Sequence, residues 1–183
     1  MPVSAFIVRV PAAEPLVDDL RRRYDPTFQL GVPAHLSVLV PFMDPADIGP
    51  AELERARLAL GAVCAFDFTL QTIGRFPTTT YLAPIPAAPF VAMTEALVRA
   101  FPAYLPYGGE HPDVIPHLSV SHGDAALADA AEVELAALLR DAGPVQAHCA
   151  SVLLIENASG RWREMQVFAL PPPADKPAVP GVP

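Results

Sequence analysis

His-Leu-Ser-Val occurs twice in this sequence, first at residues 35–38 and again at residues 117–120. Each copy follows a proline within two residues and lies in a run of apolar residues that is typical of a strand. The two copies stand 82 positions apart (35 to 117), in different halves of the chain. The chain thus carries the same candidate site segment once in each half.

Strand geometry explains how this tetrapeptide serves as a site. Side chains alternate faces along a strand, so His35 and Ser37 point the same way, roughly 6–7 Å apart, while the leucine between them points into the core. The same holds for His117 and Ser119. If the two strands face one cleft, two imidazoles and two hydroxyls converge there.

This set of groups suits the cleavage of a phosphodiester. An unperturbed imidazole titrates near pH 6.5, so a neutral ring and a protonated ring coexist near neutrality. The neutral ring removes a proton from the attacking water or hydroxyl, and the charged ring protonates the leaving oxygen. The serine hydroxyls hold the non-bridging phosphate oxygens. We predict neither a metal nor a cofactor, because His111, His122 and His148 show no ligand spacing typical of a metal site.

Periodicity around the motifs predicts an α+β fold. We expect helices over residues 15–24, 50–60, 90–101 and 125–140, and strands over residues 4–10, 35–40, 66–73, 80–85, 115–120, 145–156 and 163–170. Each half runs strand, helix, strand, which indicates a bilobal, pseudo-two-fold arrangement of two antiparallel sheets flanked by helices around a central cleft. Residues 1–170 form this single domain, and residues 171–183, with six prolines, form a disordered tail.

The paired motifs resemble those of the two-histidine phosphoesterase superfamily, in particular its 2'-5' RNA ligase-like (LigT-like) branch. Residues 35–42, which end in Pro-Phe, are especially similar to the first motif of that family, and the resemblance extends over residues 3–170. It implies hydrolysis of 2',3'-cyclic phosphates or 2'-5'-linked RNA ends, with 2'-5' ligation in some members. It also implies that His35 and His117 are catalytic and that Ser37 and Ser119, in place of the commoner threonine, bind phosphate.

Five further residues are candidates for substrate contact. Tyr81 is a candidate for stacking on a nucleobase, with core packing as the alternative. Phe42 either touches a ligand or packs beneath the first motif. Three arginines either bind phosphate or remain solvated on strands: Arg75, Arg161 and Arg163.

Composition limits the partners. The formal net charge is −8, from 20 acidic and 12 basic residues, which disfavours duplex DNA and favours a small nucleotide or RNA end. The two cysteines form no Cys-x-x-Cys pair, and no segment has the length of a signal peptide or membrane span. These features predict a cytoplasmic monomer. Two alternatives remain open: a module that binds nucleotides without turnover, and a hydrolase of a non-RNA cyclic phosphate.

Overall fold

Two four-stranded antiparallel sheets make up the centre of the molecule. The structure, a computed structural model, describes residues 2–110 and 113–173, and within them eight strands are present. They are β1 (Ser4–Arg9), β2 (His35–Leu39), β3 (Phe66–Phe76), β4 (Thr79–Ile85), β5 (Leu118–Ser119), β6 (Val145–Cys149), β7 (Ser151–Glu156) and β8 (Arg163–Ala169). Sheet A has the order β2-β1-β7-β8, and sheet B has the order β5-β4-β3-β6.

Helices cover these sheets, as the α+β prediction requires. They are α1 (Glu14–Tyr24), the short α2 (Pro26–Gln29), α3 (Pro50–Leu60), α4 (Ala88–Ala100) and α5 (Ala125–Ala142). The Asp124 carboxylate accepts a hydrogen bond from the Leu127 amide and so caps α5, which ends at Gly143 in a left-handed conformation (φ 78°). Among the described residues, no helix combines the length and the apolar character needed to cross a bilayer.

Both histidine motifs lie at sheet edges that face each other. The strand β2 is the first strand of sheet A, the strand β5 is the first strand of sheet B, and the two strands contact each other. Leu36 and Val38 are buried under one motif and Leu118 and Val120 under the other, as strand alternation predicts. The free edge of β2 is partly covered, because the buried Thr94 hydroxyl of α4 donates a hydrogen bond to the Val38 carbonyl (2.7 Å).

The predicted strand over residues 145–156 is wrong as a single element. It breaks at Ala150, so that β6 pairs with β3 in sheet B while β7 pairs with β1 in sheet A. The Ala150 carbonyl instead accepts a hydrogen bond from the Leu170 amide (2.9 Å). The segment contains no glycine or proline to signal the break, and one residue is enough to carry the chain from one sheet to the other. The hairpin of β7 and β8 is present.

The predicted strand over residues 115–120 is also shorter than expected. Only Leu118 and Ser119 pair with β4, and His117 lies just before the paired residues. Pro116 has no amide hydrogen to donate to a ladder, which explains why pairing begins after it. The second histidine is therefore held by an extended segment at the start of an edge strand.

Contacts between α1 and α5 connect the two halves. The Arg23 guanidinium donates two hydrogen bonds to the Glu134 carboxylate (3.0 and 2.6 Å), and the Tyr24 hydroxyl donates a third (2.7 Å). The His122 amide donates to the Tyr24 carbonyl (2.9 Å), five residues after His117. These bonds restrict how far the second motif can move relative to α1 and the first.

Candidate active site

The two histidine rings are oriented in the same way. The Nδ1 atom of His35 lies 2.8 Å from the Pro33 carbonyl oxygen, and the Nδ1 atom of His117 lies 2.7 Å from the Ile115 carbonyl oxygen. A carbonyl oxygen only accepts hydrogen bonds, so Nδ1 carries the proton in both rings. The neutral tautomer therefore has its lone pair on Nε2. In both motifs the orienting carbonyl belongs to the residue two positions earlier.

Burial keeps both rings uncharged in the free protein. Desolvation lowers the pKa of His35 to about 4, against a smaller opposing effect of the Pro33 carbonyl. Desolvation also lowers the pKa of His117, again opposed by its carbonyl partner, Ile115. A charge on His117 lowers the pKa of His35 further. The two rings are thus electrostatically coupled although they belong to different sheets.

Tyr107 connects the two motifs. Its phenol lies beside the Ser37 hydroxyl, and its ring stacks on the His117 imidazole with centroids 6.2 Å apart and planes 22° apart. The Tyr107 amide donates to the Val40 carbonyl at the end of β2 (2.6 Å), and its backbone is left-handed (φ 51°). Burial raises the pKa of Tyr107, against a smaller opposing effect of Ser37, so the phenol stays protonated near neutrality. This residue was not predicted from the sequence.

Aromatic rings surround His117 on its other sides. The Phe76 ring meets it edge-on at 5.1 Å, and the Tyr81 ring lies 5.3 Å away. Tyr81 pairs in register with Ser119 on one side and Gly74 on the other. A Cβ atom at Gly74 would stand 2.3 Å from the Tyr81 ring, so only glycine lets that ring lie across β3. Tyr81 is 9% exposed, and most of its ring is used in these contacts.

A buried ion pair holds the segment that leads into His35. The Arg21 guanidinium donates to one Asp25 carboxylate oxygen (3.0 and 2.9 Å) and to the Val32 carbonyl (3.1 Å). The other Asp25 oxygen accepts from the Thr27 amide and hydroxyl. Arg21 is 1% exposed, and Asp25 supplies the partner that burial of a charge requires.

Two of the candidate substrate contacts, Phe42 and Arg75, make their observed contacts with residues outside the two motifs. Phe42 is 5% exposed and packs in the core against Phe6, Phe101 and Tyr104, with centroids 4.9 to 5.0 Å apart. Arg75 binds Asp129 (2.8 Å) and Glu132 (2.9 Å) of α5. Since Gly74 faces Tyr81 and the histidine, its neighbour Arg75 faces the opposite side of sheet B.

The other arginines lie near sheet A. The Arg163 guanidinium donates to the Glu156 carboxylate (2.9 and 2.7 Å), and together with Trp162 it lines a cavity that reaches Pro33. Arg161 lies against Gly31 outside that cavity. These contacts join both arginines to groups other than the motif residues, so their role as phosphate ligands stays a prediction.

Two further histidines, His122 and His148, make side-chain contacts outside the motifs, and the charge of His122 lowers the pKa of His117. The exposed His122 lies with its Nδ1 atom 3.2 Å from the Thr79 hydroxyl, and His148 lies 2.7 Å from the Asp67 carboxylate. His111 falls outside the described residues, and so do residues 174–183 of the predicted tail. Within residues 2–110 and 113–173, no cluster of three potential metal ligands occurs.

Comparison with known proteins adds independent findings. A family model described as the 2'-5' RNA ligase superfamily matches residues 8–161. The fold is similar to Escherichia coli LigT complexed with 3'-AMP (TM-score 0.57, 16% identity, covering 93% of this chain and 98% of that one). It is also similar to the protein TT0787 of Thermus thermophilus (TM-score 0.53, 15% identity, covering 94% and 100%). A search of curated protein sequences gave no significant match.

Proposed function

This chain belongs to the 2'-5' RNA ligase superfamily, and from that membership we propose that it cleaves nucleoside 2',3'-cyclic phosphates or 2'-5'-linked RNA ends by acid–base catalysis with the pair His35 and His117. The observation that carries the proposal is the pairing of the motifs. Two histidines oriented by equivalent carbonyls lie on edges that contact each other, and Tyr107 spans from one motif to the other.

The proposed reaction requires one neutral and one protonated imidazole. The neutral ring accepts a proton on Nε2 from the attacking water, and the protonated ring donates its proton to the leaving ribose oxygen. The pKa of His35 is lowered strongly, to about 4, and that of His117 is lowered as well. A proton shared by the pair therefore resides mainly on His117. This asymmetry supports His35 as the base and His117 as the acid.

Binding of the negatively charged substrate favours the protonated imidazole that the free site disfavours. A phosphodiester carries one negative charge, which attracts a proton to the nearby imidazoles and opposes the effect of burial on their pKa. The hydroxyls of Ser37, Ser119 and Tyr107 are donors for the non-bridging oxygens. In this scheme the Tyr107 hydroxyl, which lies beside Ser37, donates to a phosphate oxygen.

The same groups also support 2'-5' ligation by attack of a different nucleophile on the cyclic phosphate. A 5'-hydroxyl takes the place of water, gives its proton to the base and attacks the phosphorus of a 2',3'-cyclic phosphate. The bond to the 3'-oxygen breaks, the acid protonates that oxygen, and a 2'-5' linkage remains. Water at high concentration favours hydrolysis, so we expect the ligation product to form only with concentrated RNA ends.

The neighbours support a nucleotide as the substrate class. E. coli LigT has been solved with 3'-AMP, NADP+, ATP and phosphate. The net charge of −8 argues against long-range attraction of a polyanion, so a mononucleotide or a short RNA end is the better fit. Since one chain supplies both motifs, a monomer is sufficient for the reaction.

The experiment that tests the proposal is an assay of nucleoside 2',3'-cyclic phosphates with a chelator present. We expect His35→Ala and His117→Ala each to lower kcat by about 10²- to 10⁴-fold. Val133→Ala, at an exposed position of α5, is the matched control and keeps the wild-type rate. Turnover that survives both histidine substitutions would refute the mechanism. Saturable binding with no product from any phosphodiester would indicate a binding module instead.

A further inference from the structure

A cavity of about 220 Å³ lies on sheet A and takes no part in the proposed acid–base chemistry. Three aliphatic side chains form its floor. Ile7 of β1 and Leu153 of β7 are register partners, and Ile155 follows two residues later on the same face. An apolar floor exposed to a cavity is a common feature of ligand sites.

This cavity adjoins His35. Pro33, whose carbonyl orients the His35 ring, also lines the cavity. Arg9, another lining residue, is the register partner of His35 on the neighbouring strand. The cavity therefore begins at residues that are direct neighbours of His35.

Trp162 lines the cavity together with Gly31 and Pro33. Its amide donates a hydrogen bond to the Leu30 carbonyl (2.9 Å), which ties Trp162 to the segment that contains Gly31 and Pro33. The indole packs against the small apolar cluster around Ile7 and Ile155 but remains partly exposed. A fixed, partly exposed indole beside an aliphatic floor is a surface on which a flat ring stacks.

The charges at the rim favour an uncharged group over a second phosphate. Arg9 is paired with Glu14 (3.3 Å), and Arg163 is paired with Glu156 (2.7 Å). Glu164 lines the cavity on the same side, opposite Ile155. These carboxylates at least balance the two arginines. The Glu164 carboxylate also suits an exocyclic amino group, such as that of cytosine.

We propose that this cavity binds the nucleobase of the substrate, with the base stacked on Trp162 and the phosphate at His35 and His117. The inference rests on the proposed function and adds to it the recognition of the base. The cavity volume lies below the roughly 300 Å³ at which pockets for drug-sized ligands begin, so it holds a single base rather than a dinucleotide. The enzyme is then specific for nucleoside phosphates over sugar phosphates.

Trp162 is the only tryptophan among the 183 residues, so its fluorescence reports on this cavity alone. We expect cytidine 3'-monophosphate to change the Trp162 emission of the full chain in a saturable way, while ribose 5-phosphate and inorganic phosphate leave it unchanged. Equal changes with all three ligands, or none with the nucleotide, would overturn the inference. This measurement needs no turnover, so it tests the cavity even if the proposed reaction fails.

Kinetics provides the second test. With cytidine 2',3'-cyclic phosphate, Trp162→Ala should raise KM about tenfold, whereas Trp162→Phe, which keeps an aromatic face, should stay within about threefold. With the 2',3'-cyclic phosphate of methyl riboside, which has no base, wild type and both variants should have the same KM. An equal loss on both substrates would assign Trp162 a structural role only and overturn the inference. Absence of cleavage in the wild type would refute the proposed function instead.

Discussion

Tyr107 stacks on His117, with ring centroids 6.2 Å apart, while its phenol lies beside the Ser37 hydroxyl of the other motif. One side chain from the loop before the second motif therefore touches both halves of the candidate site. The left-handed backbone at Tyr107, rare for a residue with a side chain, is compatible with a functional constraint at this position.

The two contacts of Tyr107 can be separated by substitution. Tyr107→Phe keeps the stacking and removes the hydroxyl, and we expect kcat to fall about 10- to 100-fold with little change in the KM for a 2',3'-cyclic nucleotide. Tyr104→Phe in the same loop is the control, because Tyr104 packs against Phe42 in the core. A Tyr107→Phe enzyme with the wild-type kcat would show that the phenol does not act on the phosphate.

The contact between Gly74 and Tyr81 predicts a steric effect on the second motif. Gly74→Ala places a Cβ atom 2.3 Å from the Tyr81 ring. The ring must move, and we expect a loss of about 1–3 kcal/mol in the free energy of unfolding together with a lower kcat, since Tyr81 also contacts His117. In a Tyr81→Ala background, the same substitution should cost less than about 1 kcal/mol. Equal costs in both backgrounds in urea unfolding would disprove the steric explanation.

The buried Arg21 and its exposed neighbour Arg22 form a matched pair. Arg21→Met leaves the Asp25 carboxylate buried without its cation, and we expect a loss of about 3–5 kcal/mol in the free energy of unfolding. Arg22 has a side chain that is 57% exposed, pairs with Asp19 and lies over the Phe28 ring, and its change to Met should cost less than about 1 kcal/mol. Denaturant unfolding of both variants measures the difference. Similar losses would show that the Arg21 pair does not hold the segment before His35.

The lowered histidine pKa values predict an acidic optimum for kcat/KM. The base must be neutral, so kcat/KM decreases as the pH falls toward about 4, the pKa of His35. The acid must be protonated, so kcat/KM decreases above the pKa of His117, which burial lowers from the ordinary value of about 6.5. We therefore expect a bell-shaped profile for the coupled pair with its maximum between about pH 4 and 6.5. A maximum above pH 7 would contradict the effect of burial on the two rings.

The same shift predicts how stability depends on pH. Between pH 6.5 and about 4 the unfolded chain binds a proton at residue 35 that the folded chain does not, so the free energy of unfolding decreases as pH falls through this range. The His35 contribution is at most about 3 kcal/mol, and less where solvent reaches the ring. Urea unfolding at pH 7 and pH 4.5 should show a smaller decrease for His35→Gln than for wild type. Equal decreases would place the His35 pKa near its ordinary value.

Local patterns predicted much of the fold. The helix of residues 50–60 was placed at its observed bounds because Pro50 and Glu52 are specific to a first turn. Alternation in the first motif predicted that Leu36 and Val38 lie under His35 and Ser37. These features depend on a few neighbouring residues, so a single sequence contains the information.

Features that depend on distant partners were missed. Nothing near Ala150 signals that the chain changes sheets there. Which strand each half of the segment pairs with, β3 or β1, depends on the distant strand edge that is available to it. The sequence does not distinguish Arg21 from its exposed neighbours, because only the fold brings Asp25 and the Val32 carbonyl to its guanidinium. Tyr107 lies in an irregular loop, where an aromatic residue between Pro106 and Gly108 was the sole sign of a functional position.

The most direct test of the central claim is a crystal structure of the protein with a nucleoside 3'-monophosphate bound. We expect one phosphate group between the motifs, with its oxygens about 2.6–3.2 Å from the Nε2 atoms of both His35 and His117. A phosphate that reaches only one of the two rings, or rings that open into separate pockets, would contradict the proposal that the two histidines act together on a single phosphorus.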